Sequence, residues 1–249
     1  MKEEIIYGLN PVLEALRSDR RAFELFVVEG SSDKRMEKLL KLAKEKAVPV
    51  RLREKKDIAR ICGSDYHQGA ALRAEPYAYS DLGNILERCR ESGRGGLLLI
   101  LDGVQDPHNL GALIRTAACS GADGVIIPKD RAAHITPAVE KASAGATATI
   151  PVAQVVNVTQ TIEELKNEGF WIYGTAADSP STLYEQDFAG HVAIVIGSEG
   201  EGIRQLVLKK CDVLFSIPLL GGVSSLNASV AGGVVLFEIV RQRLVKGYN

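Results

Sequence analysis

Apolar runs alternate with amphipathic segments from residue 81 to the end of the chain. The run "GLLLILDGV" at 96–104 is apolar almost throughout, which is typical of a strand buried on both faces. The same patterns predict further strands at 123–128, 149–155, 170–176, 192–197 and 213–218, and helices at 81–92, 109–122, 136–146, 161–169, 202–211 and 225–245. The alternation predicts an α/β fold in which helices cover both faces of a parallel sheet.

A second, shorter alternation occupies the first 75 residues. Strands are predicted at 23–30, 48–53 and 67–75, and helices at 31–48 and 57–62. The opening "EIIYGLNPVLEAL" predicts a short strand or loop and then a helix, with Asn10 as its cap and Pro11 in its first turn. Residues 76–79 break the pattern. We therefore expect a small α/β domain at 1–75, a linker at 76–79 and a larger domain at 80–249.

Composition narrows the class of protein. The chain has 249 residues, of which 46% are apolar and 24% are charged, as in folded water-soluble proteins. No apolar run reaches the roughly 20 residues of a membrane span, so we expect no membrane partner. The start "MKEEIIYGLN" lacks the long apolar segment of a signal peptide, and this predicts a cytoplasmic location.

Positive charge is concentrated in the first domain. Residues 1–76 carry 16 Lys and Arg against 13 Asp and Glu, whereas the remainder carries 14 against 18. One face of the helix predicted at 31–48 holds four lysines, namely Lys34, Lys38, Lys41 and Lys44. This face is either ordinary solvated surface or a contact for a polyanion such as RNA.

The sequence argues against several familiar kinds of site. The cysteines and histidines are scattered, Asp102 and Asp106 fit turn chemistry, and we therefore expect no metal. The loop at 200–205 lacks the third glycine of a dinucleotide fingerprint, and Glu199 and Glu201 would repel a pyrophosphate. Neither a Walker loop nor a serine-hydrolase elbow occurs.

Two stretches carry polar groups next to apolar helices. In "NLGALIR" at 109–115, Asn109 is placed to cap the helix, and Arg115 lies among small and apolar residues. A lone guanidinium in that setting needs an anionic partner or the open mouth of a cleft. In "IPLLGGVSSLNASVAGG" at 217–233, glycines and hydroxyl side chains precede the last helix. Exposed amides and hydroxyls there suggest a ligand.

Three segments together resemble the motifs of the SpoU (TrmH/SPOUT) family of RNA ribose 2'-O-methyltransferases. They are "LDGVQDPHNLGALIRTA", "IVIGSEGEGI" and "IPLLGGVSSLNASVA", and they occur in the family's order. With "IYGLNPVLEAL" and "HQG", the resemblance runs from Ile6 to Arg243. It implies a C-terminal parallel-sheet SPOUT domain with a trefoil knot and an N-terminal L30e-like domain that binds RNA. Pattern reasoning alone would not give the knot, because knots are so rare.

The resemblance implies S-adenosylmethionine (AdoMet) as the cofactor. Gly197, Ile217 and Leu226 match positions that contact it, largely through the backbone, and Thr175 is a further candidate. The Gly221–Ser225 loop would fold over the cofactor, since glycines allow a close backbone approach.

Five residues match the family's catalytic positions, namely Arg115, Asn109, Glu199, Asn227 and Ser225. Asn109 is expected to position the substrate. Because an arginine is almost never deprotonated, we favour a role for Arg115 in binding the target phosphate or stabilising oxyanion charge. A general-base role is the alternative.

The implied reaction is 2'-O-methylation of a ribose in RNA, with a guanosine of 23S ribosomal RNA as the expected target. The resemblance also implies a homodimer in which the last helix packs across the interface. Two alternatives stay open: a transfer RNA 2'-O-methyltransferase, and a non-catalytic protein of the same fold that binds ribosomal RNA or assists ribosome assembly.

Overall fold

The structure, a computed structural model, describes residues 3–18, 20–30 and 34–247. In chain order its elements are β1 (Glu4–Tyr7), α1 (Leu9–Arg17), β2 (Ala22–Val28), α2 (Lys34–Glu45), β3 (Val50–Arg53), α3 (Lys55–Cys62), β4 (Ala70–Ala74), α4 (Leu82–Glu91), β5 (Leu97–Asp102), α5 (Pro107–Cys119), β6 (Gly124–Pro128), α6 (Pro137–Ala142), β7 (Val152–Val155), α7 (Val158–Asn167), β8 (Trp171–Thr175), β9 (Val192–Gly197), α8 (Gln205–Leu208), β10 (Val213–Phe215) and α9 (Ala228–Val245). Short 3₁₀ turns lie at Ala146–Ala148 and Leu183–Glu185.

The chain packs as two units. One comprises residues 1–78 and 135–149, and the other comprises residues 79–134 and 150–249. The segment 135–149 therefore leaves the second unit after β6, contributes α6 to the first, and returns at β7. The sequence pattern did not predict this excursion. None of the described helices combines the length and the apolar character needed to cross a membrane.

The first unit is built on a mixed four-stranded sheet of order β1-β4-β2-β3. β4 runs antiparallel to both β1 and β2, and β3 runs parallel to β2. Spacing predicts an apolar stripe on α2 made of Met36, Leu39, Leu40, Ala43 and Ala47, of which Met36, Leu39 and Ala43 are buried and Leu40 is half-buried. The stripe ends there, since Ala47 is exposed, and the predicted start of this helix at 31–33 lies outside the described residues. α3 packs on the sheet through the buried Ile58.

Two predicted helix caps are wrong. α1 begins one residue before Asn10, with Gly8 as its N-cap, although Pro11 does lie in its first turn. Gly8 has a φ of 99°, a conformation that glycine tolerates best. Glycine has no side chain to accept a capping hydrogen bond, and Gln68 Oε1 instead accepts from the Leu9 N–H at 3.1 Å.

The second wrong cap is Asn109. α5 starts two residues earlier, because Pro107 suits the first turn and the Asp106 carboxylate accepts from the His108 N–H at 2.9 Å. Asn109 therefore lies inside the helix, where it is buried.

The second unit is the α/β structure with a parallel sheet that the alternation predicts. All of its six strands run parallel, in the order β10-β8-β9-β5-β6-β7. α4, α7 and α8 join one apolar core with the sheet, while α5 and α9 pack beside Ile196 of the other face. α8 has four residues, fewer than the segment 202–211 predicted.

Strand order places the candidate site. From β5 the chain moves outward to β6 and β7, then crosses to β8, and β9 returns next to β5. The order reverses between β5 and β9, and in such sheets ligands bind at the carboxyl ends of the strands near the reversal. Asp102 and Gly197, the last residues of these two strands, lie opposite each other.

Candidate active site

The loop after β9 is held by a tight turn of its own backbone. Ser198 and Gly202 exchange two backbone hydrogen bonds, each of 3.1 Å. A Cβ at Gly197 would overlap the backbone of Gly202 and Ile203, so the turn requires glycine at this position. Gly197, which is predicted to contact the cofactor, is thus also needed for the backbone conformation of this turn.

An ion pair ties the far end of this loop to the sheet. Asp102 is fully buried and accepts from the Arg204 backbone N–H at 2.8 Å and from Arg204 Nε at 2.8 Å, with a further bond from Nη2. This hydrogen bonding raises the pKa of Arg204 further above its usual value. A buried carboxylate needs such a partner, and the role of Asp102 is therefore to hold the loop through this ion pair.

Asp102 and Asp106, which the sequence pattern assigns to turn chemistry, have defined partners. Asp102 pairs with Arg204, and Asp106 caps α5. Among residues 3–18, 20–30 and 34–247, no group of three or more His, Cys, Asp or Glu side chains is placed to hold a metal ion.

Three predicted residues from separate motifs meet in one hydrogen-bonded cluster. Asn109 Nδ2 donates to Glu199 Oε1 at 2.8 Å, and Asn227 Nδ2 donates to Asn109 Oδ1 at 3.0 Å. Asn227 Nδ2 also donates to Glu199 Oε1. We call Asn109, Glu199 and Asn227 the amide–carboxylate cluster. It borders a cavity of about 350 Å³ that Asp106 and Ser198 also line.

Asn227 also starts the last helix. Its Oδ1 accepts from the Ser229 N–H at 2.9 Å and from the Val230 N–H at 3.3 Å, which makes it the N-cap of α9. Both ends of this amide are thereby used by the chain. Glu199 differs, because its hydrogen bonds from described residues all reach Oε1, and Oε2 has no partner among them.

Arg115 lies away from the cluster. It follows Asn109 by six positions on α5, which corresponds to about 240° around the helix and about 9 Å along it. Its side chain is exposed and makes no hydrogen bond or ion pair with any described residue. Within one chain, therefore, the fold separates the predicted guanidinium from the amide–carboxylate cluster.

The segment 217–226, which we call the open loop, has no hydrogen bond among the described residues. Ser225 is exposed, and so are the apolar side chains of Leu219, Leu220 and Val223, with Leu226 at 37% exposure. A Cβ at Gly221 or Gly222 would meet nothing within 4 Å. Ten backbone carbonyls and nine backbone N–H groups, since Pro218 lacks one, are thus available to a ligand next to apolar groups.

The remaining predicted cofactor residues lie at the same edge of the sheet. Thr175 ends β8 beside Phe215 of β10, and its hydroxyl donates to the Val195 carbonyl at 3.4 Å. Ile217 follows β10 and is half-buried. The open loop, with its free amides and uncovered apolar side chains, suits a ligand that has both an aromatic base and a polar chain, as AdoMet has.

Sequence reasoning missed the Asp102–Arg204 pair. The signal was present, because a carboxylate at the end of a fully apolar strand needs a cation nearby. Which arginine supplies it could not be read, since the two residues are 102 positions apart.

Comparison with known proteins identifies both parts of the chain. The SpoU rRNA Methylase family matches residues 96–237, and the family described as RNA 2'-O ribose methyltransferase substrate binding matches residues 5–80. The chain is 43% identical to the 23S rRNA (guanosine-2'-O-)-methyltransferase RlmB of Pseudomonas putida over 248 residues, which cover 98% of each protein.

Two further relatives extend the comparison. A Bacillus subtilis protein assigned to the TrmH family of tRNA/rRNA methyltransferases is 38% identical over 242 residues, or 97% of each chain. The crystal structure of an AdoMet-bound rRNA methyltransferase from Sinorhizobium meliloti matches with a TM-score of 0.79 and 25% identity, over 96% of this chain and 87% of that one.

Proposed function

Because this chain belongs to the SpoU rRNA methylase family, we propose that it transfers a methyl group from AdoMet to the ribose 2'-hydroxyl of a guanosine in 23S ribosomal RNA. The observation that carries the proposal is the amide–carboxylate cluster, in which residues of three distant motifs meet at the sheet edge. The relative from Pseudomonas putida, named for this reaction, aligns with 98% of the chain. That near-complete coverage supports the ribosomal target.

The residues at the sheet edge fit the cofactor. The open loop offers free backbone amides and carbonyls, and Gly197 and Thr175 end neighbouring strands beside it. We assign these residues, with Ile217 and Leu226, to AdoMet binding. When bound, AdoMet supplies a methyl group made electrophilic by its sulfonium centre.

The cluster would orient the ribose. A 2'-hydroxyl has a pKa far above 7, so the protein must hold it in line with the methyl group and favour loss of its proton. The free Oε2 of Glu199 can accept a hydrogen bond from that hydroxyl, while Asn109 and Asn227 hold the carboxylate still. Ser225 provides an exposed hydroxyl in the adjoining loop.

Arg115 would act through its charge. An arginine keeps its proton in proteins, so its guanidinium is suited to binding the target phosphate or stabilising the developing oxyanion. Its exposure and its lack of a described partner leave it available to the RNA.

We also propose that two chains pair through α9. Val230, Phe237 and Leu244 recur every seven residues and therefore lie on one face of this helix, and each is at least 50% exposed. The opposite side buries Val235, Leu236 and Ile239, so α9 is apolar on both sides. Its exposed apolar face therefore favours packing against a second protein surface.

Pairing through α9 would also bear on Arg115. α5 packs closely on α9, since a Cβ at Gly232 would overlap Leu113. A partner seated on α9 would thus approach α5. A site completed by both chains would explain why one chain alone separates Arg115 from the cluster.

The domain plan follows the same family assignment. We propose an RNA-binding domain at 1–75, a linker at 76–79 and a methyltransferase domain at 80–249, which the family matches at 5–80 and 96–237 support. We assign the trefoil knot of the family to the loops that follow β9 and β10. Lys34, Lys38, Lys41 and Lys44 on α2 are all exposed, as an RNA contact requires.

The test is methyl transfer from tritiated AdoMet to ribosomal RNA lacking the modification, with the methylated nucleotide mapped. We expect one labelled guanosine ribose in 23S RNA and no label in transfer RNA. Label confined to transfer RNA would favour the alternative of a transfer RNA 2'-O-methyltransferase. Binding of ribosomal RNA without any transfer would contradict the enzymatic proposal.

A further inference from the structure

The first unit contains a cavity of about 480 Å³ to which nothing above assigns a ligand, although the HQG segment (67–69) lines part of it. Its walls come from the start of α3 (Lys55), from the loop between α3 and β4 (Asp65, Tyr66 and His67), and from α6 (Lys141). We propose that this cavity binds one unpaired nucleotide of the RNA substrate, with its base on Tyr66 and its phosphate between Lys55 and Lys141. The proposal rests on the function proposed above, since it takes the ligand to be RNA.

Tyr66 supplies the stacking surface. Its side chain is 76% exposed, although it borders the cavity. Exposed aromatic rings beside basic side chains are the usual platform for unstacked bases of single-stranded RNA.

Lys141 is fixed beside that ring. Its Nζ lies 4.9 Å from the ring centroid of Tyr66 and 5.2 Å from that of Tyr7. It makes no ion pair with a described residue, so its charge is available to a ligand while two rings hold it in position.

The helix that carries Lys141 is itself anchored. The neighbouring Glu140 pairs with Arg20 at 2.5 Å, and Arg20 pairs with Glu4 at 2.5 Å, with all three side chains largely buried. The cavity is thereby formed in advance of binding.

The charges at the cavity favour an anion with hydrogen-bond donors. Lys55 and Lys141 face one carboxylate, Asp65, and none of the three forms an ion pair with a described residue. Two cations suit a phosphate, and the carboxylate can accept hydrogen bonds from a base edge. An apolar ligand would leave all three charges unpaired.

His67 orders the loop that lines the cavity. It is fully buried, and its Nδ1 accepts from the Gly69 N–H at 3.0 Å, which leaves the proton on Nε2. Nε2 lacks a hydrogen-bond partner of normal geometry among the described residues. Burial and the Lys55 charge lower the pKa of His67, although interactions with Asp65 and the Lys55 backbone oppose the shift.

The backbone of the loop is shaped for this arrangement. Gln68 has a φ of 53° and Gly69 a φ of 81°, and these two consecutive left-handed residues turn the chain sharply after His67. A left-handed Gln68 costs on the order of 1 kcal/mol, and its side chain is bonded to α1.

The test uses four variants and a 23S RNA transcript, with Kd measured by filter binding over a range of salt. Tyr66→Ala is expected to raise Kd about tenfold, and Tyr66→Phe to recover most of the affinity, because stacking needs only the ring. Lys55→Met and Lys141→Met are each expected to weaken binding and to lower the salt slope by less than about 0.7, the value for the one single-strand phosphate that the two lysines share.

Lys56→Met is the matched control. Lys56 follows Lys55 on α3 but is paired with Glu54 at 2.7 Å and does not line the cavity. Its removal should change Kd by less than about twofold. If Lys56→Met weakened binding as much as Lys55→Met, or if Tyr66→Ala left Kd within twofold, the cavity would not be a nucleotide site.

Methyl transfer separates this proposal from the proposed function. In Tyr66→Ala we expect a raised KM for RNA, with kcat and AdoMet affinity retained. If the wild-type protein transferred no methyl group but Tyr66→Ala still weakened RNA binding, the proposed function would be wrong and the nucleotide site would stand. If methyl transfer were normal and Tyr66→Ala left the KM for RNA unchanged, the proposed function would stand and the nucleotide site would be wrong.

Discussion

The chain holds one group of candidate-site residues firmly and leaves another without internal partners. The fixed group is Asn109, Glu199, Asn227 and Gly197, which share hydrogen bonds or a tight turn. The free group is Arg115 with the open loop, residues 217–226, which make no hydrogen bonds among the described residues. Both groups lie in the second unit. The fixed group comes from all three motifs, and the free group comes from the first and the third.

Substitutions in the two groups give different information about function. A substitution in the fixed group disturbs the fold as well as any chemistry, so loss of activity there is ambiguous. A free residue has little structural role in the chain, and loss of activity there reports a contact with a ligand, RNA or a second chain. Free residues are therefore the sharper probes of function.

The largest effect is expected from Arg115→Ala. The methyl-transfer rate should fall about a thousandfold, the range for removing one oriented donor from a developing oxyanion. The melting temperature and the AdoMet affinity should stay near wild type, because no described residue depends on this side chain. Single-turnover transfer, calorimetric titration with AdoMet and thermal unfolding measure the three quantities.

Cys119→Ala is the control for that experiment. Cys119 is exposed one turn further along α5 and is not one of the residues predicted to take part in catalysis. If Arg115→Ala kept a rate within about tenfold of wild type, a barrier change of only about 1.4 kcal/mol, Arg115 would have no catalytic role.

A smaller effect, on stability, is expected from the fixed side of the comparison. Arg204→Ala strands the fully buried Asp102 carboxylate, and should lower the free energy of unfolding by about 3 kcal/mol. This lies at the lower end for buried pairs, since the Arg204 side chain is 44% exposed. Urea unfolding measures the change.

Lys210→Ala provides the comparison for that pair. Lys210 and Glu163 are paired at 2.7 Å with both side chains well exposed, so their separation should hardly alter stability. Equal losses in Arg204→Ala and Lys210→Ala would mean that the loop after β9 is not held by its ion pair.

Much of the fold could be predicted because its signals are local. The uninterrupted apolar run of β5 predicts a strand buried on both faces, and all six of its residues are buried. The stripe Met36, Leu39 and Ala43 predicts the inward face of α2. The Asn109 cap failed for a local reason too, because Pro107 fixed the helix start upstream of it.

The arrangement of the site could not be predicted because it depends on distant contacts. Asn109 meets Glu199 across 90 positions and Asn227 across 118. Motif resemblance named these residues without indicating that they bond to each other. Similarly, nothing in the periodicity of 135–149 indicates that Glu140 pairs with Arg20 in the first unit.

The smallest effect expected is a change in amide hydrogen exchange, and it tests the comparison most directly. Without ligand, the bonded amides of Ser198, Gly202 and Arg204 should exchange slowly, while those of the open loop should exchange at rates near an unstructured chain. AdoMet at about 100 times its Kd can slow exchange in the open loop by at most about 100-fold, the limit set by its binding free energy. Because the first group is already bonded, its rates should change far less. Equal slow exchange in both loops without ligand would show that the open loop is ordered by the chain itself, and the division into fixed and free residues would not hold.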